Sequence, residues 1–147
     1  MIKYKLLDER CEPFVGSAQA AGADLKTYLY SRDASKMQPI EPGQTLMVGT
    51  GVHAQIPEGW VAIVAPRSST GKLRIMLENT LGVIDSDYRG EIKLRVYNFG
   101  NEVQTLNNFE RIVQIIVVPH MSANHYEIVK ELDSTDRGEN GFGSTGK

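Results

Sequence analysis

Glu91-Ile-Lys-Leu-Arg-Val-Tyr97 alternates without a break: Ile92, Leu94 and Val96 fall on one side, Lys93, Arg95 and Tyr97 on the other. A period of two is the repeat of a strand with one face in a core and one in water. Working outward from this segment, helical periodicity is nearly absent. Short apolar or alternating runs recur instead, at Ile2–Leu7, Ala23–Leu29, Thr45–Val48, Val52–Ile56, Trp60–Ala65, Ile112–Val118 and Tyr126–Val129. Pro39-Ile-Glu-Pro-Gly43 and Pro57-Glu-Gly59 punctuate them as turns. Many short strands at close spacing predict an all-β barrel, jelly roll or sandwich. Ser69–Leu77 is the one stretch that reads as a short helix. Ile112–Val118 is apolar on both parities, which predicts a strand buried on both faces. Gln114 interrupts it, and a buried amide needs partners: either neighbouring backbone or a polar cavity.

The bulk properties set limits. A chain of 147 residues fits one domain. With 41% hydrophobic and 23% charged residues it can build a packed core. A net charge of −2 argues against a protein that grips nucleic-acid backbone, yet leaves room for an anionic small molecule held by a few Arg and Lys residues. The single cysteine, Cys11, excludes an intrachain disulfide and reads as an ordinary thiol in a reducing compartment. No run of 18 apolar residues exists and Met1–Leu7 does not read as a signal peptide, so a cytoplasmic protein away from membranes is expected. Residues 1–132 form the expected β domain. Asp133–Lys147, with four glycines and Phe142 as its one large hydrophobe, is the expected flexible arm.

Few chemical motifs stand out by residue type alone. Gly141-Phe-Gly-Ser-Thr-Gly-Lys147 imitates most of a P-loop, but no strand leads into it and no Ser or Thr follows the Lys. His53, His120 and His125 form no zinc-ligand spacing. Mg²⁺ carried mainly by phosphates needs only one or two carboxylates, which Asp24 or Asp85 can supply. Asp85 ends the apolar run Leu81-Gly-Val-Ile84, and Asp85-Ser-Asp87 reads as the turn of a β-hairpin. A carboxylate at the mouth of an apolar strand is also where a base that activates water would stand.

Five segments together resemble the trimeric deoxyuridine triphosphatases. They are Ala21-Gly-Ala-Asp-Leu25, Pro66-Arg-Ser-Ser69, Asn79-Thr-Leu-Gly-Val-Ile-Asp-Ser-Asp-Tyr-Arg-Gly90, Arg111-Ile-Val-Gln114 and Arg137-Gly-Glu-Asn-Gly-Phe-Gly-Ser-Thr145, in that order. The resemblance implies a jelly-roll-like β-barrel in a homotrimer, each active site collecting segments from three subunits. It implies hydrolysis of dUTP to dUMP and pyrophosphate with Mg²⁺, which lowers dUTP and supplies dUMP for thymidylate synthesis. Asp85 would deprotonate the water that attacks the α-phosphorus, and Gln114 would bind that water or the α-phosphate. Asp24 would hold Mg²⁺ through a water. Arg67, Ser68 and Ser69 would meet the phosphates, with Arg111 supporting them, and Arg137, Gly143, Ser144 and Thr145 would hold the γ-phosphate. Uracil would pair with main chain at Val83, Ile84 and Lys93, assisted by Asn79, under a stacked Phe142. Tyr88 would cover the deoxyribose and exclude a 2′-hydroxyl. The second motif departs from the family pattern at Ser69, where Gly is usual, and at Thr70-Gly71, where an apolar pair is usual, so a different local turn is expected.

Two other functions fit parts of this pattern. A dCTP deaminase shares the implied fold but needs a cytosine reader in place of the third and fifth motifs. A trimer of the same fold acting as a regulatory protein-binding module would need a partner surface.

Overall fold

The computed structural model describes residues 1–139. Its strands are β1 (Lys3–Leu6), β2 (Gly22–Lys26), β3 (Met37–Ile40), β4 (Thr45–Gln55), β5 (Trp60–Pro66), β6 (Ile75–Leu77), β7 (Gly82–Ile84), β8 (Glu91–Asn98), β9 (Gln104–Asn107) and β10 (Arg111–Pro119). They form two four-stranded sheets, β1-β4-β8-β6 and β2-β10-β5-β7, and a β3-β9 ribbon. Every pairing is antiparallel. The layering is jelly-roll-like, and the sheets do not close into one hydrogen-bonded barrel.

The β8 alternation sets the core. Ile92, Leu94 and Val96 are buried, while Lys93 and Arg95 are exposed. Val48, Val52 and Ala54 on β4 belong to the same apolar cluster as Val113 and Ile115 on β10, Ala62 and Val64 on β5, and Leu25 on β2. The valine, leucine and isoleucine side chains among these each gain about 1.5–3 kcal/mol when fully withdrawn from water, so the cluster fixes the stacking of the two sheets.

Several sequence expectations are corrected. Thr45–Val48 and Val52–Ile56 are one strand, β4, carried through by a bulge between Gly49 and His53. The bulge holds Gly51 at φ +67°, where a side chain is strained. Ser69–Leu77 is not a helix: a single 3-10 turn, Thr70–Leu73, ends at Arg74 with φ 53°, and β6 follows. Pro39 and Ile40 belong to β3 rather than to a turn, since a two-stranded ribbon accepts proline on its free edge. Tyr126–Val129 forms no strand: residues 120–139 contain neither helix nor strand, and Tyr126 and Ile128 are 76% and 89% exposed. Despite its strand-like composition it pairs with no strand. Finally, Ile112 is buried beside a register irregularity, but from Val113 to Val118 the strand is covered on one face only. Val113 and Ile115 are buried, whereas Ile116 is half-buried and Val118 exposed, because no layer of the protomer lies on the outer face of this sheet.

The segment Asp85–Gly90 carries the largest topological correction. Tyr88 N–H donates to the Asp85 carbonyl at 3.2 Å, so the expected turn is present. The two strands it joins are not a hairpin. β7 pairs only with β5, and β8 pairs with β4 and β6. The turn is therefore an arch that carries the chain from one sheet to the other.

Candidate active site

The named residues fall into two groups on one protomer. The first is a polar row on the outer face of the β2-β10-β5 sheet. Cross-strand register places Asp24 beside Gln114, and Gln114 beside Ala65. The Asp24 carboxylate takes Arg67 Nε at 3.0 Å and Arg111 Nη1 at 3.4 Å. Arg67 Nη1 also donates to the Arg111 carbonyl at 2.9 Å, and the Arg111 guanidinium lies 4.3 Å from the centre of the Phe14 ring. Gln114 Nε2 donates to the Pro66 carbonyl at 3.3 Å, so the backbone satisfies the amide. Ser68 and Ser69 follow Arg67 and are exposed. The departure at Thr70 has a clear local role: its buried hydroxyl donates to the Ile112 carbonyl at 2.6 Å, which ties the 3-10 turn to β10 where an apolar residue would only fill space.

The second group surrounds the arch. Val83, Ile84, Asp85, Tyr88, Glu91, Ile92 and Lys93 line a cavity of about 200 Å³. Two strand edges converge on it. β7 is the last strand of its sheet. β6 reaches along β8 only to the Leu77–Val96 pair, with Glu78 N–H on the Arg95 carbonyl, so Glu91–Lys93 have a β4 neighbour on one side only. Backbone donors and acceptors on such edges are available to a ligand that presents the matching pattern. Tyr88 folds back so that its hydroxyl donates to the Glu91 carbonyl at 2.9 Å, and a Cβ at Gly90 would strike that ring. Asn79 Nδ2 donates to the Leu81 carbonyl at 2.7 Å and braces the loop that leads into β7.

The two groups do not meet within one chain. Ala62 pairs with Ile84, so Asp85 lies level with Val61, whereas Gln114 lies level with Ala65. Four residues of strand separate them, roughly 13 Å, and two strand spacings add about 10 Å across the sheet. Between the rows Ile116, Ile63 and Val83 run side by side, with Val83 61% exposed. Of the fifth motif, Arg137 lies among the described residues. Phe142, Gly143, Ser144 and Thr145 lie outside them.

Residues 13–146 match the family model described as dUTPase. The chain belongs to the dUTPase family. It is 53% identical over 146 residues to the deoxyuridine 5'-triphosphate nucleotidohydrolase of Escherichia phage T5, covering 99% of both chains. It is 42% identical to the enzyme of the same name from Paraburkholderia phymatum, covering 99% of this chain and 98% of the relative. Its fold matches a glycine-to-serine mutant of the Staphylococcus bacteriophage 80alpha dUTPase solved with dUpNHpp at a TM-score of 0.83 and 23% identity, covering 100% of this chain and 99% of that one.

For a dUTPase-family chain, several features escaped the sequence reading. Asp85 also borders a wider cleft of about 870 Å³, shared with Gln55, Glu58, Arg89 and His120. The buried Glu91 carboxylate accepts from Gly51 N–H and from the Tyr30 hydroxyl, each at 2.8 Å. Burial, and then donation to Glu91, push the Tyr30 hydroxyl up to about 12, so it remains a donor at neutral pH. A Glu that follows Arg-Gly at the start of an alternating strand reads as surface charge, so only long-range packing reveals it. Among the described residues no group of three His, Cys, Asp or Glu side chains could hold a metal ion. Asp24, one carboxylate between two guanidiniums, suits a cation that arrives on a polyphosphate better than one caged by protein. Among the described residues no helix is long and apolar enough to cross a membrane.

Proposed function

We propose that this chain hydrolyses dUTP to dUMP and pyrophosphate in the cytoplasm as a homotrimer, lowering dUTP and supplying dUMP for thymidylate synthesis. The observation that carries this reading is the arch cavity, where two strand edges with free backbone groups face each other beside a carboxylate. Uracil offers N3–H as donor between O2 and O4 as acceptors, and main chain at Val83, Ile84 and Lys93 can pair with that pattern as a further strand would. Cytosine inverts the pattern at positions 3 and 4 and would leave buried groups unpaired. The Tyr88 ring closes the sugar side, where a 2′-hydroxyl would collide. Asn79 fixes the loop at the base edge.

The polar row supplies the phosphate end. Arg67, Ser68 and Ser69 offer donors to phosphate oxygens, and Arg111 braces the Asp24–Arg67 pair. Asp24, through a water, would hold Mg²⁺ carried in by the phosphates, which would supply charge neutralisation for the leaving pyrophosphate. Asp85 takes a proton from water as the water oxygen bonds to the α-phosphorus. The bond from the α-phosphorus to the bridging oxygen breaks, and pyrophosphate leaves. Gln114 orients the water or the α-phosphate. Asp85 and Gln114 are too far apart on one chain for these roles, so the row of one protomer serves the arch of another. The apolar strip between them, half-buried at Ile116 and Ile63 and exposed at Val83, is the surface that assembly covers. Residues 133–147 act as an arm over a neighbour's site, with Arg137, Gly143, Ser144 and Thr145 on the γ-phosphate and Phe142 on uracil.

Pyrophosphate release from dUTP, dCTP, dTTP and UTP with Mg²⁺, alongside ammonia release from dCTP, tests the reading. Turnover of dUTP alone is expected. Ammonia from dCTP would replace the proposal with deamination, and turnover of none would leave the fold acting as a binding module.

A further inference from the structure

The arch rests on something the reaction does not use. In β4 the bulge sets Gly49 opposite Lys93 and His53 opposite Glu91, so Thr50, Gly51 and Val52 face a single residue, Ile92. A bulge of this size takes backbone groups out of the ladder, and buried ones must find other partners. Two side chains provide them. The Thr50 hydroxyl donates to the Ile92 carbonyl at 2.7 Å, and Gly51 N–H donates to Glu91 Oε1 at 2.8 Å. Glu91 Oε2 accepts from the Tyr30 hydroxyl at 2.8 Å, tying in the segment that follows β2. Space is closed around this junction: a Cβ at Gly49 would overlap both the Glu91 carboxylate and the Tyr30 hydroxyl. The peptide that the clamp immobilises is the one whose carbonyl holds the Tyr88 hydroxyl.

We infer that Glu91, through the Tyr30–Glu91–Gly51 clamp, is a positioning residue that sets the nucleoside wall of the cavity and thereby its preference for a deoxyribose. This rests on the proposed dUTP hydrolysis. The clamp fixes the first residue of β8; that residue fixes the Tyr88 ring from one side and the Ile92–Lys93 edge from the other. If the clamp is loosened, the ring and the edge shift together, while Asp85, on the β7 side of the arch, keeps its place. The effect therefore falls on nucleoside binding and sugar selection more than on the chemical step.

The test uses full-length Tyr30→Phe, Glu91→Ala and Glu91→Gln, with steady-state kinetics on dUTP and UTP. Tyr30→Phe and Glu91→Ala are expected to raise KM for dUTP and to lower the dUTP-to-UTP preference in kcat/KM, each by about tenfold, with kcat changed less. Glu91→Gln should recover most of the loss, because its amide oxygen still accepts from Gly51 N–H and its NH₂ can donate to the Tyr30 oxygen. Folded Tyr30→Phe and Glu91→Ala proteins with the parent KM and preference would overturn the inference, as would a Gln variant no better than Ala. Should Glu91→Ala fail to fold, Tyr30→Phe decides, since it removes one hydroxyl from a residue that is 56% exposed. A parent that does not turn over dUTP overturns the underlying reading and the inference with it; a working parent with unaffected variants overturns the clamp alone.

Discussion

The polar row and the arch are built in opposite ways. In the row, Asp24, Arg67 and Arg111 are already joined by ion pairs of 3.0 and 3.4 Å and by a side-chain bond to backbone, around β10, which is paired on both sides. In the arch, backbone edges lack a strand partner and Asp85 is exposed, with a cavity where a third strand would lie. A wired row holds charge in place before any ligand arrives, which suits phosphates whose position must not vary. An open arch leaves its bonds to be made by the ligand, which suits discrimination between bases.

The largest effect that sharpens this contrast is at Asp85. Asp85→Asn keeps shape and removes the proposed base, so kcat should fall by about 10²–10⁴-fold while KM for dUTP stays within about tenfold. Near-parental turnover would move the chemistry away from the arch. Mixing Asp85→Asn with Gln114→Ala chains, after dissociation and reassembly, should restore activity that neither has alone. Failure of two correctly assembled variants to complement would mean that row and arch meet within one chain after all. Removing Asp136–Lys147 comes next: kcat should drop by at least about tenfold, the loss that ~1.4 kcal/mol of transition-state stabilisation represents, with assembly mass unchanged. Normal turnover by the truncated chain would leave row and arch sufficient without the arm. Tyr88→Ala should raise UTP turnover relative to dUTP severalfold, since a side chain removed from a pocket relaxes selection on the scale of about 1–3 kcal/mol. An unchanged ratio would take the ring out of sugar selection. The smallest effect belongs to the row's support. Thr70→Val should lower stability to urea by about 1 kcal/mol, because one buried hydrogen bond to the Ile112 carbonyl is lost while Arg67 N–H still reaches that oxygen at 3.2 Å.

How legible each region was in the sequence follows the same divide. β8 was readable because alternation is local information, and the burial of Ile92, Leu94 and Val96 matches it. The turn at Asp85-Ser-Asp87 was readable from its residues, but the destination of the next strand was not. Whether β7 pairs with β8 or with β5 depends on which partner the rest of the sheet leaves open, and nothing within a few residues encodes that. β6 and β7, three residues each, are too short to declare a period. Tyr126–Val129 has strand chemistry and no partner, the reverse failure. For the site, motif order named Asp24, Arg67 and Gln114 before their contacts were known. The roles of Glu91 and of Thr70, noted only as a departure from the family pattern, could not be read because their partners lie about 40 residues away in sequence.

The bare outer face of the β2-β10-β5-β7 sheet has a consequence for how much enzyme a cell needs. With Val83 exposed and Ile116 and Ile63 half-buried in the protomer, and with row and arch completed across chains in the proposed homotrimer, catalysis would be subject to mass action. Dilution below the dissociation constant of the assembly would cost specific activity more steeply than in proportion to chain number, and dUTP bridging two protomers would oppose that loss by binding only the assembled form. Substrate would then regulate the number of working sites as well as their occupancy.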